Sequence, residues 1–166
     1  MSQAENSGPS TKEIEAAHRR LAIDCNNEAW TLAEKPQRSD EESEQMVHIA
    51  HAAAWHWSKV GTAANESRAD HLLAYVYYDI GSVERARHYA ERCLTGNLKH
   101  DDLLEDWDLA FAYHVMACAE HLAGDTAQRD QWLSKAKTAG DAIERKQDAE
   151  IFFAFLNKTP GYEGNT

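Results

Sequence analysis

Residues 68–94 read RADHLLAYVYYDIGSVERARHYAERCL, and this stretch decides the fold. It predicts one helix, a turn at Gly81 and a second helix running back along the first. Glycine reaches the left-handed backbone that closes a helix C-terminus, and Ser82 stands where a cap for the returning helix belongs. Small side chains fall where two helices must touch: Ala74 before the turn, Ala86 and Cys93 after it. Tyr75, Tyr77, Tyr78 and Tyr89 flank them.

Working outward, the same grammar repeats. Residues 1–9 are small and polar and read as a flexible tail. Ser10 with Glu13 spells a capping box, opening a helix with two apolar stripes, Ile14–His18–Leu21–Ala22–Cys25–Ala29–Leu32 and Ala16–Ile23–Trp30. Two stripes imply two neighbours. Ser39 with Glu42 opens a second helix to about Val60, whose later half, MVHIAHAAAWHWSKV, is apolar nearly all round and predicts cover on most sides. A third begins between Thr62 and Asn65, with Asn65 as its expected cap. After the polar residues 95–102, one long helix is expected through LLEDWDLAFAYHVMACAEHLAG to Gly124. Asp125 with Gln128 caps the next, Gly140 ends it, and Asp141 with Glu144 caps a seventh. Residues 158–166, with Pro160 and Gly161, read as a C-terminal tail. The expected architecture is all-α, about seven antiparallel helices in one unit over residues 10–157.

Composition limits the function classes. The chain has 166 residues, 43% hydrophobic, with five Trp and six Tyr, which is enough to bury a core. Its 28 acidic and 17 basic residues give a net charge of −11, which repels phosphate backbones and anionic lipid, so neither nucleic acid nor membrane is an expected partner. Cys25, Cys93 and Cys118 are odd in number, far apart and at apolar helical positions, which fits a reducing cytoplasm. The opening MSQAENSGPS has neither the basic nor the apolar region of a signal peptide.

The hairpin around Gly81 resembles a tetratricopeptide repeat, a helical hairpin that stacks side by side into a solenoid. Ala74 stands seven residues before the turn glycine, Tyr77 four before, Ala86 five after and Cys93 twelve after. The hairpin around Gly124 is more degenerate. Ala117 and Ala136 match, while Glu120 takes the site of Tyr77 and Arg129 that of Ala86, an exchange that predicts an ion pair between them. The two turns lie 43 residues apart rather than the family's usual 34. His56–Trp57 and the DWDLA from Asp106 also resemble small uncharacterised bacterial proteins of repeat type.

The resemblance implies a ligand groove lined by the first helix of each hairpin. Its positions fall on Arg68, His71, Tyr75 and Tyr78, then on Phe111, His114, Cys118 and His121. The implied role is a non-enzymatic binding module for a peptide or partner protein, without cofactor, and self-association into a homodimer is a further option. Arg68 would pair a ligand carboxylate, the tyrosines would give rigid contact area, and histidines gaining charge would strengthen binding below about pH 6.5. The plainer reading is that the first or the seventh helix folds over the stripe and buries it.

The alternative is a metal- or small-molecule-binding protein. His114, Cys118 and His121 have the residue types of a zinc site, but the outer pair lie about 10 Å apart along a helix and cannot both reach one ion. Nucleophile elbows, phosphate-cradling loops and dinucleotide fingerprints are missing from the sequence. Asp106 and Asp108 flank Trp107 as an acidic pair, yet two positions apart they do not face each other, and a solvated face is expected.

Overall fold

The computed structural model describes residues 8–164. Seven α-helices account for the architecture: α1 (Thr11–Ala33), α2 (Asp40–Val60), α3 (Ala63–Asp79), α4 (Val83–Lys99), α5 (Asp108–Leu122), α6 (Thr126–Asp141) and α7 (Lys146–Leu156). No strand occurs among the described residues. The first six pair in sequence, α1 on α2, α3 on α4 and α5 on α6, and these hairpins stack through α2 on α3 and α4 on α5. The odd helices α1, α3, α5 and α7 are neighbours along one face. That face carries the candidate site.

Local chemistry explains the helix starts. Capping boxes form at Ser10 with Glu13 and at Ser39 with Glu42, each saturating amide groups that the first turn leaves without partners. A third forms at Thr62, and Asn65, expected as the cap, is its reciprocal partner three residues on. Asp125 caps α6 through the Gln128 amide. Ser82 precedes α4 but makes no side-chain cap bond.

Both turns between α3 and α4 and between α5 and α6 close alike. Gly81 and Gly124 have φ of 78° and 79°. Ser82 N–H donates to the Tyr77 carbonyl and Asp125 N–H to that of Glu120, at 2.9 and 3.0 Å. With the bonds spanning three residues, from Gly81 to Tyr78 and from Gly124 to His121, these are Schellman closures.

The core has two centres. One joins α1 to α4 with part of α5 around Met46, Leu72, Leu73, Val76, Ala86 and Val115. The other joins α5, α6 and α7 around Ala117, Leu133, Ala136, Phe152 and Leu156. Helix α5 sends Val115, Met116 and Ala119 into the first and Ala110 and Ala117 into the second, and is buried on nearly every side.

Several expectations are corrected. The long helix through 103–122 is shorter, because Asp101–Leu103 form a 3-10 turn and the Asp108 carboxylate accepts the Glu105 amide, holding the chain out of helix until Asp108. Gly140 does not end α6 but lies inside it, where the Phe152 ring rests on its backbone. Asp141 and Glu144 do not cap α7. The Glu144 amide instead donates to Asp106, and α7 starts at Lys146. Ile14, Leu21 and Ile23 of α1 are exposed, as is Trp55 on α2, so these helices are less covered than their apolar content predicts. Glu120 pairs with Arg87 of α4, Oε2 to Nη2 at 2.6 Å, and Arg129 turns to Asp130. The expected tail after Asn157 is anchored: Thr159 is buried, and Tyr162 packs on the second centre. Of the N-terminal tail, only Gly8 and Pro9 belong to the described residues.

Candidate functional site

The eight groove positions divide into three groups along the face shared by the odd helices. At one end Arg68, His71 and Phe111 line a pocket. In the middle Tyr75 and His114 are covered. At the far end Tyr78, Cys118 and His121 lie outside that pocket.

The cover comes from both ends of the sequence. Trp30 of α1 meets His71, Tyr75 and Phe155 with ring centroids 5.6, 5.3 and 5.7 Å apart. Phe155 of α7 meets Tyr75, Phe111 and His114 at 5.8, 5.7 and 6.3 Å. The first and seventh helices thus close the centre of the stripe. It is a half-filled channel, not the open groove expected.

Burial decides the chemistry of the covered groups. His114 is 1% exposed, its Nε2 lies 2.8 Å from Thr159 Oγ1, and burial pushes its pKa down to about 3. The same cause lowers His71 to about 4. Burial therefore opposes the charging of the His71 and His114 imidazoles near pH 6.5 on which the expected pH dependence of binding relied. Burial pushes the Cys118 and Cys93 thiols up to about 12, so at neutral pH neither is a thiolate nucleophile or ligand. The Cys118 Sγ sits 3.5 Å from His114 Nε2, as a weak hydrogen bond. Among the described residues, no three His, Cys, Asp or Glu side chains converge as a metal site would require.

Arg68 differs from its expected role. Its Nε and Nη2 donate to Asp108 Oδ1 and Oδ2 at 2.8 and 2.7 Å, a bidentate pair. Its guanidinium also lies over the Trp107 ring, 4.4 Å from the centroid. Asp108 is 3% exposed and is no part of a solvated face. A ligand carboxylate at Arg68 would compete with a carboxylate already held.

The pocket encloses about 390 Å³ between α1, α2, α3, α4, α5 and α7, within the range of small-ligand sites. Its walls include Trp30, Trp57, Trp107, Phe111 and Phe155, and its polar groups include Asn26, Asn97 and the Arg68–Asp108 pair. The sequence reading missed Trp57, Trp107 and the asparagines. Asn97 had a legible signal: it continues the buried stripe Ala86, Ala90, Cys93 of α4 at helical spacing, where an amide is out of place without a task. Trp57 had none, since its helix belongs to the even set.

Comparison with family models, with curated proteins and with solved structures returns no match for this chain. No described helix is long and apolar enough to cross a membrane.

Proposed function

We propose that the protein is a non-enzymatic binding module, tetratricopeptide-like in its hairpins, that receives a partner peptide or protein along the face of the odd helices. The observation that carries the reading is the aromatic pocket at the Arg68 end of that face, which remains accessible while the centre is closed. A partner lying across this end would place one side chain in the pocket and run its backbone past Asn26 and Asn65, which are half-buried and lie on its wall. Three unpaired cysteines, two of them buried, fit a cytoplasmic setting.

The small-molecule reading has one observation in its favour: the pocket's volume suits a compact ligand without any peptide attached. The metal form of that reading loses its ligand set.

The test is selection of a peptide library on the immobilised protein, followed by titration of the selected peptides into the parent and an Asn26→Arg variant. Among the described residues the Asn26 side chain bonds its neighbour Asn27 alone, so the change blocks the mouth and leaves the core intact. Affinity should fall by about tenfold or more, equivalent to about 1.4 kcal/mol. Peptides held equally by both proteins would move the site elsewhere.

A further inference from the structure

Two residues of the pocket wall each carry a buried polar atom without a partner among the described residues: Oδ1 of Asn97 and Nε2 of His71. Asn97 is 3% exposed, and its orientation is fixed by its surroundings. Its Nδ2 donates to the Cys93 carbonyl at 2.9 Å and to Ser67 Oγ at 2.7 Å. A carbonyl only accepts, so the NH2 must face Cys93, and the atom left over is the oxygen. An acceptor buried without a donor is costly, and native proteins rarely leave one.

The surroundings narrow what could supply the donor. The Arg68 and Asp108 charges neutralise each other in a bidentate pair. A ligand anion would meet the Asp108 and Glu34 carboxylates and the bare Asn97 oxygen, and a ligand cation would meet the Arg68 guanidinium, the exposed Glu34 being left to solvent. Most of the remaining wall is rings, beside Asn26, Asn65, Cys93 and the exposed Glu34: Trp30 and Phe111 hold the His71 imidazole at 5.6 and 5.2 Å, and Trp57, Trp107 and Phe155 add three more aromatic faces. Flat aromatic surface with an unmet amide acceptor on Asn97, beside the unpartnered His71 Nε2, selects a flat ligand that carries a donor.

We propose that this pocket binds an uncharged aromatic group carrying an N–H or O–H donor, of the indole or phenol class, with the donor on Asn97 Oδ1 and the ring among the pocket aromatics. It rests on the reading of this face as a binding surface and names the chemistry that the surface selects. The group arrives either as a Trp or Tyr side chain of a partner or as a free aromatic compound.

The experiment is calorimetric titration of the full chain with indole and with benzofuran, which has the same shape but no N–H, alongside benzoate and benzylamine. Indole should bind about tenfold more tightly than benzofuran and more tightly than either charged probe. The preference should vanish in Asn97→Leu. Because that change also removes the Asn97 Nδ2 bonds to the Cys93 carbonyl and Ser67 Oγ and could prevent folding, a second reading uses the parent: the Asn97 side-chain NH2 resonance should shift on adding indole and stay still with benzofuran. Equal affinity for the two, tighter binding of a charged probe, or an unmoved Asn97 resonance would overturn the proposal. N-acetyltryptophanamide binding well above indole would identify a side chain as the source, and equal binding a free compound. If indole fails while library peptides still bind and are blocked by Asn26→Arg, the ligand class falls and the binding face stands. If neither binds, both fall.

Discussion

His114 shows how one hydroxyl sets the state of a buried imidazole. Thr159 Oγ1 donates to the Phe155 carbonyl at 3.2 Å, so toward His114 it must accept, and His114 Nε2 carries the proton. Nδ1 is then a lone pair, buried and unpartnered, and protonating it would place a cation in an apolar site. This lowers His114 to about 3, and burial lowers His71 to about 4, whereas both titrate near 6.5 in an unfolded chain. Below pH 6.5 the unfolded state takes up protons that the folded state refuses. The stabilisation is complete above 6.5 and is lost as pH falls toward 4 for His71 and toward 3 for His114. The slope is about 1.4 kcal/mol per pH unit for each. Urea unfolding at pH 5 should therefore show a stability lower by about 2 kcal/mol per histidine than at pH 7.5, and His114→Gln should flatten its share. A pH-independent midpoint over that window would contradict the burial of both rings.

At the scale of elements, what the sequence made legible was whatever a few adjacent residues decide. The boxes at Ser10 and Ser39 and the turns at Gly81 and Gly124 need no distant partner, and each is where the spacing predicts. Errors gather where a tertiary contact outranks the local pattern. Asp141–Glu144 has the spelling of a cap, but the Glu144 amide is taken by Asp106, 38 residues away. Gly140 looks like a helix stop because its other reason for being glycine, the Phe152 ring, lies on the next element. The same contact gives a prediction. Replacing a helical glycine by alanine ordinarily gains about 1 kcal/mol. At Gly140 the added methyl would overlap Phe152, which is 0% exposed and has nowhere to move, so overpacking of about 1–3 kcal/mol outweighs that gain. Gly140→Ala should lower the urea midpoint. A midpoint at or above the parent's would show that α7 can shift away from α6.

On the scale of the whole molecule, position counting found a face but not what covers it. Arg68, His71 and Phe111 do share a pocket, because helical spacing puts Arg68 and His71 on one side of α3 and the stacking of α5 on α3 brings Phe111 beside them. Trp30 and Phe155 come from α1 and α7, and no spacing within α3 or α5 could announce them. The stacking of hairpins also predicts how the molecule opens. Where hairpins stack mainly on their neighbours, with Phe155 alone tying α7 back to Trp30 and Tyr75, stability is close to a sum of local terms and the end with fewest contacts exchanges first. Helix α7 is the shortest helix, its apolar anchors are Phe152, Phe155 and Leu156, and its latch is the single Thr159–His114 bond. Helices α3 and α5 lie inside the stack and carry most of the fully buried side chains. Amide hydrogen exchange in the native state should therefore be fastest in α7, intermediate in α1 and α6, and slowest in α3 and α5. Thr159→Val, which removes the latch and keeps the shape, should speed exchange in α7 while leaving α3 unchanged, for a cost of about 1 kcal/mol. Uniform exchange across all helices, or acceleration spreading equally into α3, would mean that the two core centres open as one cooperative unit and that α5 couples them rigidly.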